Sequence, residues 1–232
     1  MPYIHDSEFG EVVVRRSARA KHIRLRVSPN GSLRVSAPLY TPMLLVKRFL
    51  KQSRNEIRKL VQNQENELPR FEADMQIGKS HQLIVEEASA DETTVEYKKP
   101  HIIVYLAGDD RLDDNAITAL IRPVAIKALR AEAKAYLPRR LAYFADKYGF
   151  RYDKVRFSHA GGRWGSCSTS GTISLNIALM KLPFELIDYV LLHELCHTKE
   201  MNHSANFWNL VAMCDPNYKE NRRAIKEQHP HL

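Results

Sequence analysis

The stretch Val190–Trp208, VLLHELCHTKEMNHSANFW, restricts what this chain can fold into more than any other segment. His193-Glu194-Leu195-Cys196-His197 forms an H-E-x-x-H pattern. It lies in an apolar run (Leu186, Ile187, Tyr189, Val190, Leu191, Leu192, Leu195) with the length of a buried helix. At about 3.6 residues per turn, His193 and His197 sit one turn apart and about 40° apart around the axis, so both imidazoles reach one metal ion. Glu194 projects from the neighbouring angle. Its carboxylate reaches a water on the metal rather than the metal itself, which is general-base geometry.

A catalytic zinc usually takes a third protein ligand and leaves a fourth position to water. His203 is the candidate. Ten residues beyond His193 it would lie roughly 15 Å further along a straight helix, so the chain must turn between them. Asn202 is the expected left-handed terminator of the first helix, and Ser204 the expected N-cap of a second helix carrying Phe207, Trp208, Leu210 and Val211. The expected site is therefore zinc on His193, His197 and His203, with Glu194 taking a proton from the attacking water and returning it to the departing amine. Spacing does not select the group that stabilises the oxyanion. Arg163, His159 and Tyr218 are candidates, with a structural or surface role as the competing reading for Arg163 and His159.

The chain has 232 residues, 44% hydrophobic and 27% charged, which excludes disorder as the default and suffices for one large or two small cores. The start, MPYIHDSEFGEVVV, lacks the basic and apolar segments of a secretory signal, and no apolar stretch is long enough for a membrane span, so a cytoplasmic location is expected. Cys167, Cys196 and Cys214 are odd in number and widely spaced, as reduced thiols would be. A formal charge of +8 raises a polyanionic partner as an alternative to ordinary solvated faces.

Along the chain, His22–Val27 and Ser32–Ala37 alternate apolar and polar around a Ser28–Gly31 turn, a hairpin whose wet face carries His22, Arg24, Arg26 and Arg34. Thr41-Pro42 opens a helix running to about Gln64, with Thr41 as cap and Pro42 in the first position. Strands are expected at 75–77, 81–87, 93–97 and 101–106. From Asp114 to Lys147 the pattern is helical, with Pro123 and Pro138 as expected kinks or breaks, Gly149 as stop, and the charged face in solvent. The boundary is placed near 108–114, giving domains 1–112 and 113–232. Strands at 154–158 and 172–175 are joined through the glycine-rich Ala160–Ser168 stretch, with Trp164 as a core anchor. Asn176 is expected to orient a loop or a ligand histidine, or simply to serve a turn. A basic helix at 218–228 follows the second site helix.

Residues 163–211, together with VVVRRSARAKHIRLRVSPNGSLRVSAP near the start and DPNYKENRRAIKE near the end, resemble the YgjP-like metallopeptidases, zinc-dependent hydrolases related to SprT-like proteases. The resemblance implies zinc on His193, His197 and His203 with Glu194 catalytic, and protein or peptide as substrate. The strand and helix patterns along the chain give an α+β fold: a strand-rich N-terminal region with one long helix, then a helical zincin-like domain with a small sheet and the HExxH helix. Two alternatives stay open, a zinc hydrolase acting on a non-peptide amide and a nucleic-acid-associated SprT-like protease. The sequence carries no zinc ribbon, helix-turn-helix or dense basic tail to support the latter. Oligomeric state is left open.

Overall fold

A computed structural model describes residues 3–27, 33–67, 70–159 and 161–230, with backbone alone at 62–67. The chain has a mixed α+β architecture and divides into two compact units, Met1–Leu68 and Pro69–Leu232.

In the first unit, alternation of buried and exposed residues builds a sheet from β1 (Tyr3–Asp6), β2 (Gly10–Ser17), β3 (Arg24–Val27) and β4 (Leu33–Pro38), in the order β1-β2-β4-β3. Successive strand residues point to opposite faces. Val12, Val14, Leu33, Val35 and Ala37 therefore share one face and form a core with Val46 and Leu50 of α1 (Met43–Gln52) and Ile57 of α2 (Arg54–Glu67). The opposite face carries exposed Arg15, Arg24, Arg26 and Arg34; the register sets Arg26 opposite Arg34, and both Arg15 and Arg24 opposite Ser36. The expected hairpin is thus present as β3 and β4, while its 28–31 turn lies outside the described residues. The single helix expected from Thr41 is two helices separated at Ser53. Pro42, not Thr41, occupies the N-cap, without a side-chain hydrogen bond.

The second unit opens with β5 (Gln82–Ala88), β6 (Thr94–Lys98) and β7 (His101–Ala107), in the order β5-β7-β6. The strand expected at 75–77 is reduced to a single bridge between Gln76 and Gln82. Helix α3 (Asn115–Tyr148) follows, 34 residues long and roughly 50 Å at 1.5 Å per residue. It runs through Pro123 and Pro138 as one assigned helix. Each proline removes one backbone hydrogen bond, but buried Ile121, Ala125, Leu129, Ala133, Leu137 and Leu141 keep the same face packed on either side. Gly149 ends the helix in a left-handed conformation (φ 66°), as expected.

The same core takes in Leu83, Ile102 and Val104 from the β5–β7 sheet, Ile117 and Ile121 from α3, and Ile173 and Leu175 further on. This shared core is why the break in packing falls at 68/69 and not near residue 112.

A third sheet, ordered β8-β10-β9, holds β8 (Lys154–Ser158), β9 (Gly165–Cys167) and β10 (Thr172–Asn176). β8 runs parallel to β10 and β9 antiparallel to it. The sequence reading places only two strands here; β9 is three residues inside a glycine-rich loop, too short to show a period. A 3-10 turn (Ile177–Lys181) leads to α4 (Phe184–Cys196), α5 (Ala205–Cys214) and α6 (Tyr218–Lys226). Arg140 of α3 clamps α4 by two hydrogen bonds from its guanidinium to Asp188, at 2.8 and 2.6 Å. Among the described residues, no helix is long and apolar enough to cross a membrane.

Candidate metal centre

Helix α4 buries Leu186, Ile187, Tyr189, Val190, Leu191, Leu192, Leu195 and Cys196, and this apolar surround fixes its orientation. His193 lies in its last turn and His197 is its C-cap. The turn after the helix is made differently from the sequence expectation. The backbone N–H of Thr198 donates to Leu195 O, those of Lys199 and Glu200 donate to Cys196 O, and the Thr198 hydroxyl donates to Leu195 O at 2.7 Å. Asp74 is the one non-glycine residue with positive φ among the described residues, so Asn202 is not a left-handed terminator. Ser204 is the N-cap of α5, as expected, its hydroxyl oxygen accepting from the Phe207 N–H. The corner between the helices carries His203.

The histidines come together: one ligand atom from each of His193, His197 and His203 lies within 4.8 Å of the others. Nε2 of His193 and Nε2 of His203 are 3.1 Å apart. Two imidazole nitrogens at about 2.0–2.1 Å from one tetrahedral ion would stand about 3.3 Å apart, so the separation fits a shared cation. His197 Nδ1 lies 3.0 Å from the Glu200 carbonyl oxygen. A carbonyl only accepts, so Nδ1 carries the proton and Nε2 keeps its lone pair for a metal. Burial pushes the His193 pKa down to about 3, with further lowering from His197, His203 and Arg222, and burial likewise lowers that of His197. The donor set is three imidazoles, suited to a divalent ion of borderline softness.

Glu194 is 5% exposed. Among the described residues, three buried side-chain polar atoms lack a hydrogen-bond partner, and two of them are His193 Nδ1 and Glu194 Oε2. Burial pushes the Glu194 pKa up to about 8, with the Arg163 guanidinium pulling it down. The carboxyl lies directly under β9, where a Cβ built on Gly165 would stand 2.6 Å from its Oε1. A side chain at this position would force the Glu194 carboxyl to shift.

Three other features were not legible in the motif. The Phe207 ring packs against all three imidazoles, with centroids 5.0, 4.5 and 4.8 Å from His193, His197 and His203. Trp208 stacks on His203 at 5.5 Å. Their signal was present as an aromatic pair one turn into the second helix. The orienting Glu200 carbonyl left no sequence signal, being backbone. Asn176 takes the loop role: its Nδ2 donates to Arg163 O at 3.0 Å, and its Oδ1 accepts from Ala178 N. Trp164 is partly buried against the main core. Of the oxyanion candidates, Arg163 is exposed but acts electrostatically on Glu194, Tyr218 stacks on Trp208 at 5.9 Å, and His159 is half-buried.

Comparison with known proteins agrees with this chemistry. The YgjP-like metallopeptidase domain matches residues 21–228. The crystal structure of the metallopeptidase zymogen of Pyrococcus abyssi abylysin is 31% identical over a match covering 38% of this chain and 90% of that one, with a TM-score of 0.36. No curated protein matches. With about nine-tenths of its length inside the family match, the chain belongs to the YgjP-like family and is a metal-dependent protease.

Proposed function

We propose that the chain hydrolyses peptide bonds at a zinc ion held by His193, His197 and His203 in a zincin-like corner, with Glu194 as the general base. The observation that carries this reading is the convergence of three imidazoles beside a buried carboxyl whose Oε2 has no partner. When bound, the ion supplies Lewis acidity for the scissile carbonyl and for the attacking water. Glu194 accepts a proton from that water and returns it to the leaving nitrogen as the C–N bond breaks; the water oxygen ends in the new carboxyl group. Raising the pKa of this carboxyl by burial brings it toward the range in which it both takes and gives a proton near neutral pH.

β9 is an edge strand, with β10 as its one neighbour in the sheet, and its Gly165 lies against Glu194. An extended peptide added along that edge would pair by backbone hydrogen bonds and run past the base. The test is a peptide-library digest with wild type beside Glu194→Gln, accompanied by metal analysis of both. Cleavage by the wild type alone, at one bound zinc per chain, supports the reading. Equal cleavage by the variant would falsify the general-base role.

A second reading, recruitment of the protease to nucleic acid, is favoured by one observation. Arg15, Arg24, Arg26 and Arg34 share the outer face of the first sheet, exposed and without a carboxylate partner among the described residues. Like charges directly opposite across strands, as in Arg26 and Arg34, are destabilising unless an anion lies between them. Binding to duplex or single strands that weakens steeply with salt is the expected signature. No binding at low salt removes the reading.

A further inference from the structure

Helix α6 places Lys219, Arg222, Arg223 and Lys226 at i, i+3, i+4 and i+7, which is one helix face about 10 Å long. All four are exposed, and none has a carboxylate partner among the described residues. Like charges at i, i+4 weaken a helix. Lys219 with Arg223 and Arg222 with Lys226 both work against α6; packing on Trp208 accounts for Arg222, and the helix C-terminus favours Arg223 and Lys226, but neither gives the stripe an anionic partner. Together with Trp208 and Tyr218 they line an open groove of about 500 Å³.

This groove leads away from the metal centre. Trp208 stacks on His203 at 5.5 Å, Tyr218 stacks on the same indole at 5.9 Å, and the Arg222 guanidinium sits 4.1 Å from the indole centroid. The guanidinium resting on this aromatic floor keeps its edge N–H groups for an anion. A groove whose charged lining residues are all cations raises the local concentration of negative groups.

We propose that this groove is a specificity subsite for acidic side chains of the peptide substrate, an inference that rests on the peptidase reading above. Four cations spread over about 10 Å match several carboxylates of an acidic segment better than one terminal carboxylate. Glu and Asp residues flanking the scissile bond on the side that passes Trp208 pair with Arg222 and its neighbours.

The test measures binding, so it does not depend on turnover. In zinc-loaded Glu194→Gln protein, fluorescence anisotropy compares short labelled peptides rich in Glu with matched peptides in which each Glu is Gln, in both free and amidated C-terminal forms. The Glu peptide should bind about tenfold more tightly, an advantage lost at high salt and in Arg222→Gln and Lys219→Gln/Arg223→Gln, whose metal content and circular dichroism should match the parent. Amidation should leave the advantage intact.

Equal binding of Glu and Gln peptides overturns the proposal, as does an advantage that survives in both variants. Two further outcomes also overturn it: an advantage confined to free C-termini, and displacement of the Glu peptide by an unlabelled DNA oligonucleotide at lower concentration than by itself. If the wild type cleaves no peptide, the peptidase reading fails instead, whatever the binding result.

Discussion

Two glutamates in the same unit are about equally buried and behave in opposite ways. Glu132, on α3, is 7% exposed, and Glu194, on α4, is 5% exposed. Each lies against a glycine whose Cβ would collide with it, Gly78 for Glu132 and Gly165 for Glu194. The Glu132 carboxylate accepts from Lys79 N at 2.6 Å, from Ser80 N and Ser80 Oγ at 2.9 Å each, and pairs with His81 Nδ1 at 2.5 Å. Tyr97 Oη lies 2.9 Å from the other His81 nitrogen and completes the network. Burial raises its pKa, but the Lys79, His81 and Ser80 hydrogen bonds outweigh burial and leave it below the usual carboxylate value. Glu194 has a partnerless Oε2, and burial wins. Burial alone therefore does not raise a carboxyl's pKa; burial without hydrogen-bond donors does.

The contrast breaks most easily at Glu194. Glu194→Gln should lower kcat by about 10²–10⁴-fold, the usual worth of a positioned proton-transfer group, while retaining zinc. Removing a ligand is the next test. His203→Ala should weaken zinc affinity by more than the roughly 10–100-fold typical of an outer hydrogen-bonding group, as read by competition with a chromogenic chelator. An unchanged affinity would remove His203 from the set.

Glu132→Ala should cost about 2–4 kcal/mol in urea unfolding, because it leaves two backbone N–H groups and a buried imidazole without their acceptor. Its activity should fall only as far as the folded fraction falls. If instead kcat drops at full foldedness, Glu132 belongs to the catalytic apparatus and the comparison is wrong.

The smallest effect is the sharpest in sign. Glu132 has a folded pKa below its unfolded value of 4.5, so its contribution is present above pH 4.5 and is lost as the pH falls through the folded pKa. Glu194 in metal-free protein has a folded pKa of about 8, so keeping it buried becomes progressively more costly as the pH rises from 4.5 towards 8. Glu132→Gln should flatten the acid limb of stability against pH, and Glu194→Gln the limb between 4.5 and 8. The same limb flattening in both variants would show that the two carboxyls do not differ as described.

The sequence made these two residues unequally visible. Glu194 sits between histidines at helical spacing inside an apolar run, and local periodicity is enough to find it. Glu132 sits on a helix whose charged face reads as solvent-exposed. Its partners are 51 to 53 residues away on a loop, and no local pattern announces them. The same limit explains α3, where Pro123 and Pro138 read as kinks or breaks, and the packing that carries one helix through both cannot be seen along the chain. It explains β9 as well: a three-residue strand has no period, and its place is set by pairing with β10. Hairpin β3–β4, strands β5 to β7, the Gly149 stop and the Ser204 cap were legible because each rests on short-range turn, alternation or capping chemistry.

The wall over Glu194 is main chain, since Gly165 presents backbone and a hydrogen atom where other residues present carbon. Substitutions at Ser166 or Cys167 alter side chains without adding bulk at position 165, whereas one codon change, glycine to alanine, places a methyl group in the space the carboxyl occupies. The smallest addition a side chain can make there would then displace the Glu194 carboxyl while leaving His193, His197 and His203 in the sequence.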